Sequence, residues 1–302
     1  MFNLANFVTY FLNEKIPKGF EQLPQIKTNL TYLVGPSHCG KSSLLFSYCC
    51  RLGERLYYSS LTNSLNQDLV QENENENENE KEKEKEKEKE KEKEKEKEKE
   101  KEKETEKIQI LFLTIQSRME QQQPRFFKNN HPKKEVLKQI QIKYLSNDLE
   151  LRQFFYNLHN LTELHPLLIV IDDFSHFFLE HNSSQDKDMS MTKTLATIFE
   201  SLKCMNEKTQ IIISDNLLED LNKQRQKEEY IISRWVPLIL EIKNLSQQEE
   251  LDPKHQLQIK NINGTSIKDE SSNIRMHFSF LDSYTTLKWD KFEIGEKILE
   301  FY

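Results

Sequence analysis

Apolar residues along the chain come in two kinds of stretch. Residues 30–34, 108–114, 167–171 and 210–214 are short runs with few polar interruptions, the pattern of parallel strands buried on both faces. Residues 41–52 and 191–204 instead repeat apolar positions every three to four residues, as in Leu44, Leu45, Tyr48 and Cys49, which predicts amphipathic helices. Residues 148–161 read the same way, with Asp148 or the preceding Asn147 as the cap, and residues 135–144 predict a further strand with its preceding turn. This β-α-β alternation predicts an α/β fold, a mostly parallel sheet with helices on both faces. Residues 236–242, 256–262 and 274–281 then read as strands joined by polar turns, clearest at Asn263-Gly264, with no helical pattern between them. They predict an antiparallel C-terminal extension of the sheet, closed by a short element around residues 292–301.

Residues 72–107 interrupt this rhythm with Glu-Asn and then Lys-Glu alternation, 18 Glu and 13 Lys without one apolar residue. A segment with nothing to bury cannot offset the entropy of ordering, so disorder is expected there, and a long surface insertion costs little in loop closure. Composition changes once it is set aside. The remainder carries 30 basic and 32 acidic residues, so no overall basicity announces nucleic acid, and any such contact must come from a local patch. The expected organisation is an N-terminal segment over residues 1–29, with a short amphipathic helix near its start, and one domain over residues 30–302 carrying the insert. No run of 18 apolar residues exists, which predicts no membrane span. Cys39, Cys49, Cys50 and Cys204 form no CxxC pair, and a reducing compartment, cytosol or nucleus, is expected.

Gly35-Pro36-Ser37-His38-Cys39-Gly40-Lys41-Ser42 fits G-x-x-x-x-G-K-[ST], directly after a predicted strand and before a predicted helix. That context predicts a phosphate loop whose glycines let successive N–H groups and the helix N-terminus face an anion. Lys41 is expected to reach the β- and γ-phosphates of ATP and the Ser42 hydroxyl to bind Mg²⁺, with Ser43 completing the loop. Pro36, Ser37, His38 and Cys39 fill its variable middle, where His38 either spaces the loop or touches the γ-phosphate. Asp172 ends the run Leu167-Leu168-Ile169-Val170-Ile171, where a carboxylate that holds magnesium belongs. Asp173 either supports a water or is solvated, and Ser214 or Asp215 either senses the γ-phosphate or does not.

The P-loop followed by Ser43-Leu44-Leu45-Phe46, with Ile110-Leu111-Phe112-Leu113-Thr114, Ile169-Val170-Ile171-Asp172 and Ser233-Arg234-Trp235-Val236-Pro237, resembles the RecA-like recombinase paralogues. Within them the likeness is greatest to the SWIM-domain-protein-associated ATPases of Shu complexes, over about residues 30–290 without the insert. The resemblance implies a RecA-like core that binds ATP and Mg²⁺, hydrolyses ATP weakly, and works in the nucleus. It further implies a SWIM-type zinc-finger partner, a recombinase and single-stranded DNA as associates in homologous recombination and repair. Such enzymes carry a glutamate just after the second strand to polarise the attacking water. Here Thr114-Ile115-Gln116-Ser117 has no carboxylate, and Glu120 is the nearest. A missing base predicts slow hydrolysis, since positioned acid–base groups contribute roughly 10²- to 10⁴-fold.

After the strand ending at Ser214, where RecA-like proteins present a DNA-contacting loop, stand Lys223, Arg225 and Lys227, suited to phosphate contacts but followed at once by Glu228 and Glu229. A solvated helix face is the alternative. Arg125, Lys128, Lys133, Lys134 and Lys138, with Phe126 and Phe127 for stacking, form a second basic group, which reads more readily as an ordinary surface loop with two buried phenylalanines. Phe2-Asn3-Leu4-Ala5 has the spacing of an F-x-x-A docking peptide, a short pattern that chance also produces. Two other functions compete: a non-hydrolysing RecA-like structural subunit, as in scaffolds for transfer-RNA modification, and a small-molecule kinase. The intact Gly40-Lys41-Ser42 and Asp172 argue against the first, and the scarcity of arginine for a lid against the second.

Overall fold

The computed structural model describes residues 28–75, 110–121, 123–124, 132–158, 166–205, 209–216, 222–245, 254–262, 265–266, 274–281, 286–294 and 297–300. The predicted helix at residues 1–11, the F-x-x-A pattern, most of the charged insert, and Arg125 to Lys128 lie outside them. In chain order the elements are β1 (Leu30–Gly35), α1 (Lys41–Asn75), β2 (Ile110–Thr114), α2 (Gln116–Gln121), α3 (Lys134–Leu137), β3 (Ile140–Tyr144), α4 (Asp148–Leu158) and β4 (Leu168–Ile171). A 3₁₀ turn (Phe174–Phe178), α5 (Ser184–Cys204), β5 (Gln210–Asn216), α6 (Asn222–Trp235), β6 (Leu238–Asn244), β7 (Lys254–Ile262), β8 (Thr265–Ser266), β9 (Ile274–Leu281), β10 (Thr286–Ile294) and β11 (Lys297–Glu300) follow.

Among the described residues all strands join one sheet, in the order β11-β10-β9-β7-β6-β1-β5-β4-β2-β3 with β8 beside β7. Strands β6, β1, β5, β4, β2 and β3 are mutually parallel, and β7 to β11 pair antiparallel. This is an α/β core, a parallel sheet covered by helices, with an antiparallel C-terminal extension. The chain runs outward from β1 to β2 and β3, then back through β4 and β5 to β6, and crossovers of a single hand then put the two sets of helices on opposite faces. On one face Phe46 of α1 meets Phe112 of β2 edge-on at 5.6 Å, and Gly53 lets α1 approach Val136 of α3. On the other, Leu111, Leu113, Ile169, Ile171, Ile211 and Ile213 pack with Leu151 and Phe155 of α4, Met191, Leu195 and Ile198 of α5, and Ile232 of α6. Burial on both faces is why β2 and β4 read as unbroken apolar runs.

Several boundaries differ from the sequence reading, each for a local reason. Of the two caps the sequence offered for α4, Asn147 is the one used: its side chain accepts the Glu150 N–H at 3.0 Å, while Glu150 returns a carboxylate to the Ser146 N–H at 2.7 Å. Helix α5 begins seven residues before position 191, capped by the Ser183 hydroxyl on the Asp186 N–H, because its first turns are polar. Helix α1 continues to Asn75, into the start of the charged segment. The largest correction concerns α6 and β6. Residues 222–229 contain no apolar side chain, so the sequence offered a helix there only as the solvated-face alternative to a loop; the helix is what forms, and α6 is the crossover that returns the chain for β6 to run parallel to β1. The antiparallel extension therefore starts at β7, with Ile262 opposite Thr265 across Asn263-Gly264, and ends in two paired strands, β10 and β11.

Candidate functional site

The site forms where β1, β5, β4 and β2 end side by side, the edge of a parallel sheet at which ligands gather. Gly35 closes β1 against Ile242 of β6, and the chain turns through Pro36 and the exposed Ser37 and His38 to the buried Cys39. His38 (φ 61°) and Gly40 (φ 80°) both take the left-handed region, which curls the backbone into a concave run of N–H groups before α1 begins. The Leu44 N–H bonds the Gly40 carbonyl at 2.9 Å, so the first helical turn grows directly out of the loop and aims its N-terminus at the same hollow. Burial pushes the Cys39 thiol up, with Lys41 opposing that shift.

Lys41 is nearly buried, its ammonium donating to the carbonyls of Gly35 at 3.1 Å and Pro36 at 2.7 Å and to Asn216 Oδ1 at 2.9 Å. Ser42 hydrogen-bonds Asp172, which also accepts the Ser214 hydroxyl at 2.5 Å. The Asp172 N–H is held by the Leu113 carbonyl at 2.9 Å, which fixes it between β4 and β2. Burial, reinforced by the charge of Asp173, pushes the Asp172 carboxyl up to about 6 against the opposing pull of Ser214, Ser42 and Lys41. Ser42 and Asp172 thus bring two hard oxygen donors together, the kind Mg²⁺ takes. Among the described residues no cluster of three His, Cys, Asp or Glu side chains could hold a metal ion, so the rest of a magnesium shell would come from phosphates and water.

Two residues that the sequence reading passed over complete the site. Asn216, opposite Gly35 in the β1–β5 register, bonds Lys41 through its carbonyl and donates to Asp173 Oδ1 at 2.8 Å. Arg118 on α2 donates from Nε and Nη2 to Asp173 Oδ2 at 3.0 and 2.8 Å. The only signals in sequence were a polar residue one step beyond Asp215 and an arginine four residues past the ILFLT strand. Ser214 serves Asp172 and the Asp173 N–H. Asp215 is turned into the protein, where it accepts Tyr32 at 2.6 Å and Ser175 at 2.5 Å, and burial pushes its carboxyl up. Glu120 is exposed and takes the Gln116 amide at 2.8 Å.

Lys223, Arg225 and Lys227 lie in α6 and not in a loop. Lys227 is paired with Asp188 and Lys187 with Glu228 at 2.9 Å, which ties α6 to α5. Among the described members of the second basic group, Lys133 sits 5.2 Å over the Tyr58 ring, and Lys134 and Lys138 are exposed. All four cysteines are free thiols.

No family model matches the chain, and no curated protein matches it. Among solved structures, a KaiC-like protein from the hyperthermophilic archaeon Pyrococcus horikoshii OT3 is similar with a TM-score of 0.47 and 11% identity, over 86% of this chain and 88% of that one.

Proposed function

We propose that this chain is an ATP-binding, slowly hydrolysing P-loop subunit. The observation that carries the reading is the convergence of Lys41, Ser42 and Asp172 beside a left-handed, glycine-bearing loop at the strand ends. The loop N–H groups and the α1 N-terminus receive the phosphates, and Lys41 turns its ammonium from loop carbonyls to the β- and γ-phosphates. Ser42 and Asp172 hold Mg²⁺, which when bound neutralises charge on the phosphates. No carboxylate stands directly after β2, in Thr114-Ile115-Gln116-Ser117, and Glu120 is exposed and bonded to Gln116; without a positioned base, hydrolysis is slow.

The finer reading rests on the sequence resemblance: a recombinase paralogue in the nucleus, working with a SWIM-type zinc-finger protein to support recombinase filaments on single-stranded DNA. The experiment is nucleotide titration of wild type and Lys41→Ala, joined to mass spectrometry of proteins recovered with the full chain. Lys41→Ala is expected to weaken ATP binding at least about 100-fold, the order of one lost charge-assisted contact. Equal affinity in the two proteins sinks the nucleotide reading; recovery of neither a zinc-finger protein nor a recombinase sinks the recombination reading alone.

A further inference from the structure

Four polar side chains run in a line across the ends of four neighbouring segments. Lys41, just after β1, bonds Asn216 at the end of β5; Asn216 bonds Asp173, just after β4; Asp173 bonds Arg118 on the helix that follows β2. The phosphate lysine is thus joined to the guanidinium through one amide and one carboxylate.

Asp173 is the centre of this line. Its backbone is left-handed (φ 55°, ψ 56°), a conformation few side-chain-bearing residues adopt, and its N–H is tied to Ser214 Oγ at 3.2 Å. Its carboxylate is an anion held by a guanidinium on one oxygen and an amide on the other. These are the donors that a terminal phosphate takes, with arginine the residue of choice for it. The Arg118 side chain is 22% exposed, open enough to exchange its partner, while that of Asp173 is 9% exposed.

We propose that Asp173 is an internal competitor for the γ-phosphate, and that its release of Arg118 is what tells a nucleoside triphosphate from a diphosphate. This rests on the nucleotide reading above. A diphosphate ends at the loop and Lys41, leaving the Asn216–Asp173–Arg118 contacts as they stand. A triphosphate carries its last anionic group beyond Lys41, toward the amide and guanidinium that Asp173 holds, and must take them from it. Triphosphate affinity is therefore set below what Arg118 alone would give, by the hold of Asp173 on that guanidinium.

The test compares binding of a non-hydrolysable ATP analogue and of ADP, each with Mg²⁺, to the full-length wild type, Asp173→Asn, Arg118→Gln and the double variant. Asparagine tolerates the left-handed backbone and keeps the side-chain shape, so Asp173→Asn removes the charge with little else. Asp173→Asn is expected to bind the ATP analogue roughly ten-fold more tightly, about the strength of one partly buried ion pair, with ADP affinity unchanged. Arg118→Gln is expected to weaken the ATP analogue by a similar factor and spare ADP, and in its background Asp173→Asn should gain nothing. Thermal melts of the nucleotide-free proteins establish that each variant is folded. No gain in Asp173→Asn, an equal gain for ADP, or a gain that survives without Arg118 overturns the proposal. Wild type that binds neither nucleotide overturns the nucleotide reading with it, so the two failures are distinguishable.

Discussion

Replacing Gly35 by alanine tests how the loop is anchored. A methyl built at Gly35 meets Ile242 Cβ at 2.9 Å, Cys39 Sγ at 3.0 Å and the Ile242 carbonyl oxygen at 3.3 Å. Gly35 does not have a positive φ, so the cost is space and not backbone strain. Two of the three atoms belong to the rigid part of Ile242 on β6, a fully buried strand residue that cannot rotate away, so β1 and β6 must separate or the loop must shift. Overpacking of this kind costs about 1 to 3 kcal/mol. At about 2 to 4 °C per kcal/mol for a domain of this size, the melting temperature should fall by roughly 2 to 12 °C. The displaced Cys39 and loop carbonyls should also weaken ATP binding. Gly53→Ala is the contrast: its added methyl meets a Val136 methyl at 3.0 Å, and that tight contact is offset by the roughly 0.5 to 1 kcal/mol that alanine gains over glycine inside a helix. Differential scanning calorimetry with nucleotide titration reads both. A Gly35→Ala protein as stable as Gly53→Ala, with ATP binding intact, refutes the packing described for the loop.

Asp172 predicts a pH dependence of known sign. An aspartate in the unfolded chain loses its proton near pH 4, whereas buried Asp172 keeps it to about 6, so between these values the folded state holds the extra proton and stability falls as pH rises. Asp215, also pushed up by burial, adds to that slope. Denaturation from pH 4 to 7 should therefore show a shallower decline in Asp172→Asn than in wild type; identical slopes contradict the raised carboxyl. For DNA, changing Lys223, Arg225 and Lys227 to alanine should lower single-strand affinity alike for all sequences. The slope of log K against log salt should drop by roughly 1.4, the value for two contacts, because Lys227 is engaged by Asp188. An unaltered slope places any DNA path elsewhere, with Lys133, Lys134 and Lys138 the next to vary. Deleting residues 76–104, which include no apolar side chain, should leave melting temperature and nucleotide affinity within error of wild type; a large loss of stability would mean that the segment packs.

The amino-acid sequence by itself determined the Gly-Lys-Ser loop between β1 and α1, most of the parallel strands, and the place of Asp172 just after β4. Each is a local statement: glycine where the backbone must turn left-handed, lysine and serine at the first helical turn, an unbroken apolar run wherever helices cover a strand on both faces. Helix α6 was legible only as one of two alternatives, because its first eight residues carry no apolar side chain. Without it as a crossover, β6 read as part of the antiparallel extension and not as a parallel strand of the core. The line from Lys41 through Asn216 and Asp173 to Arg118 was decided by tertiary structure alone. Its partners are 175, 43 and 55 residues apart in sequence, and only the register that sets Asn216 opposite Gly35, with the placing of α2 beyond β2, brings them within hydrogen-bonding distance. The same register turns Asp215 inward to Tyr32 and Ser175, because successive residues of a strand point to opposite faces and one step along β5 separates a buried acid from a site amide.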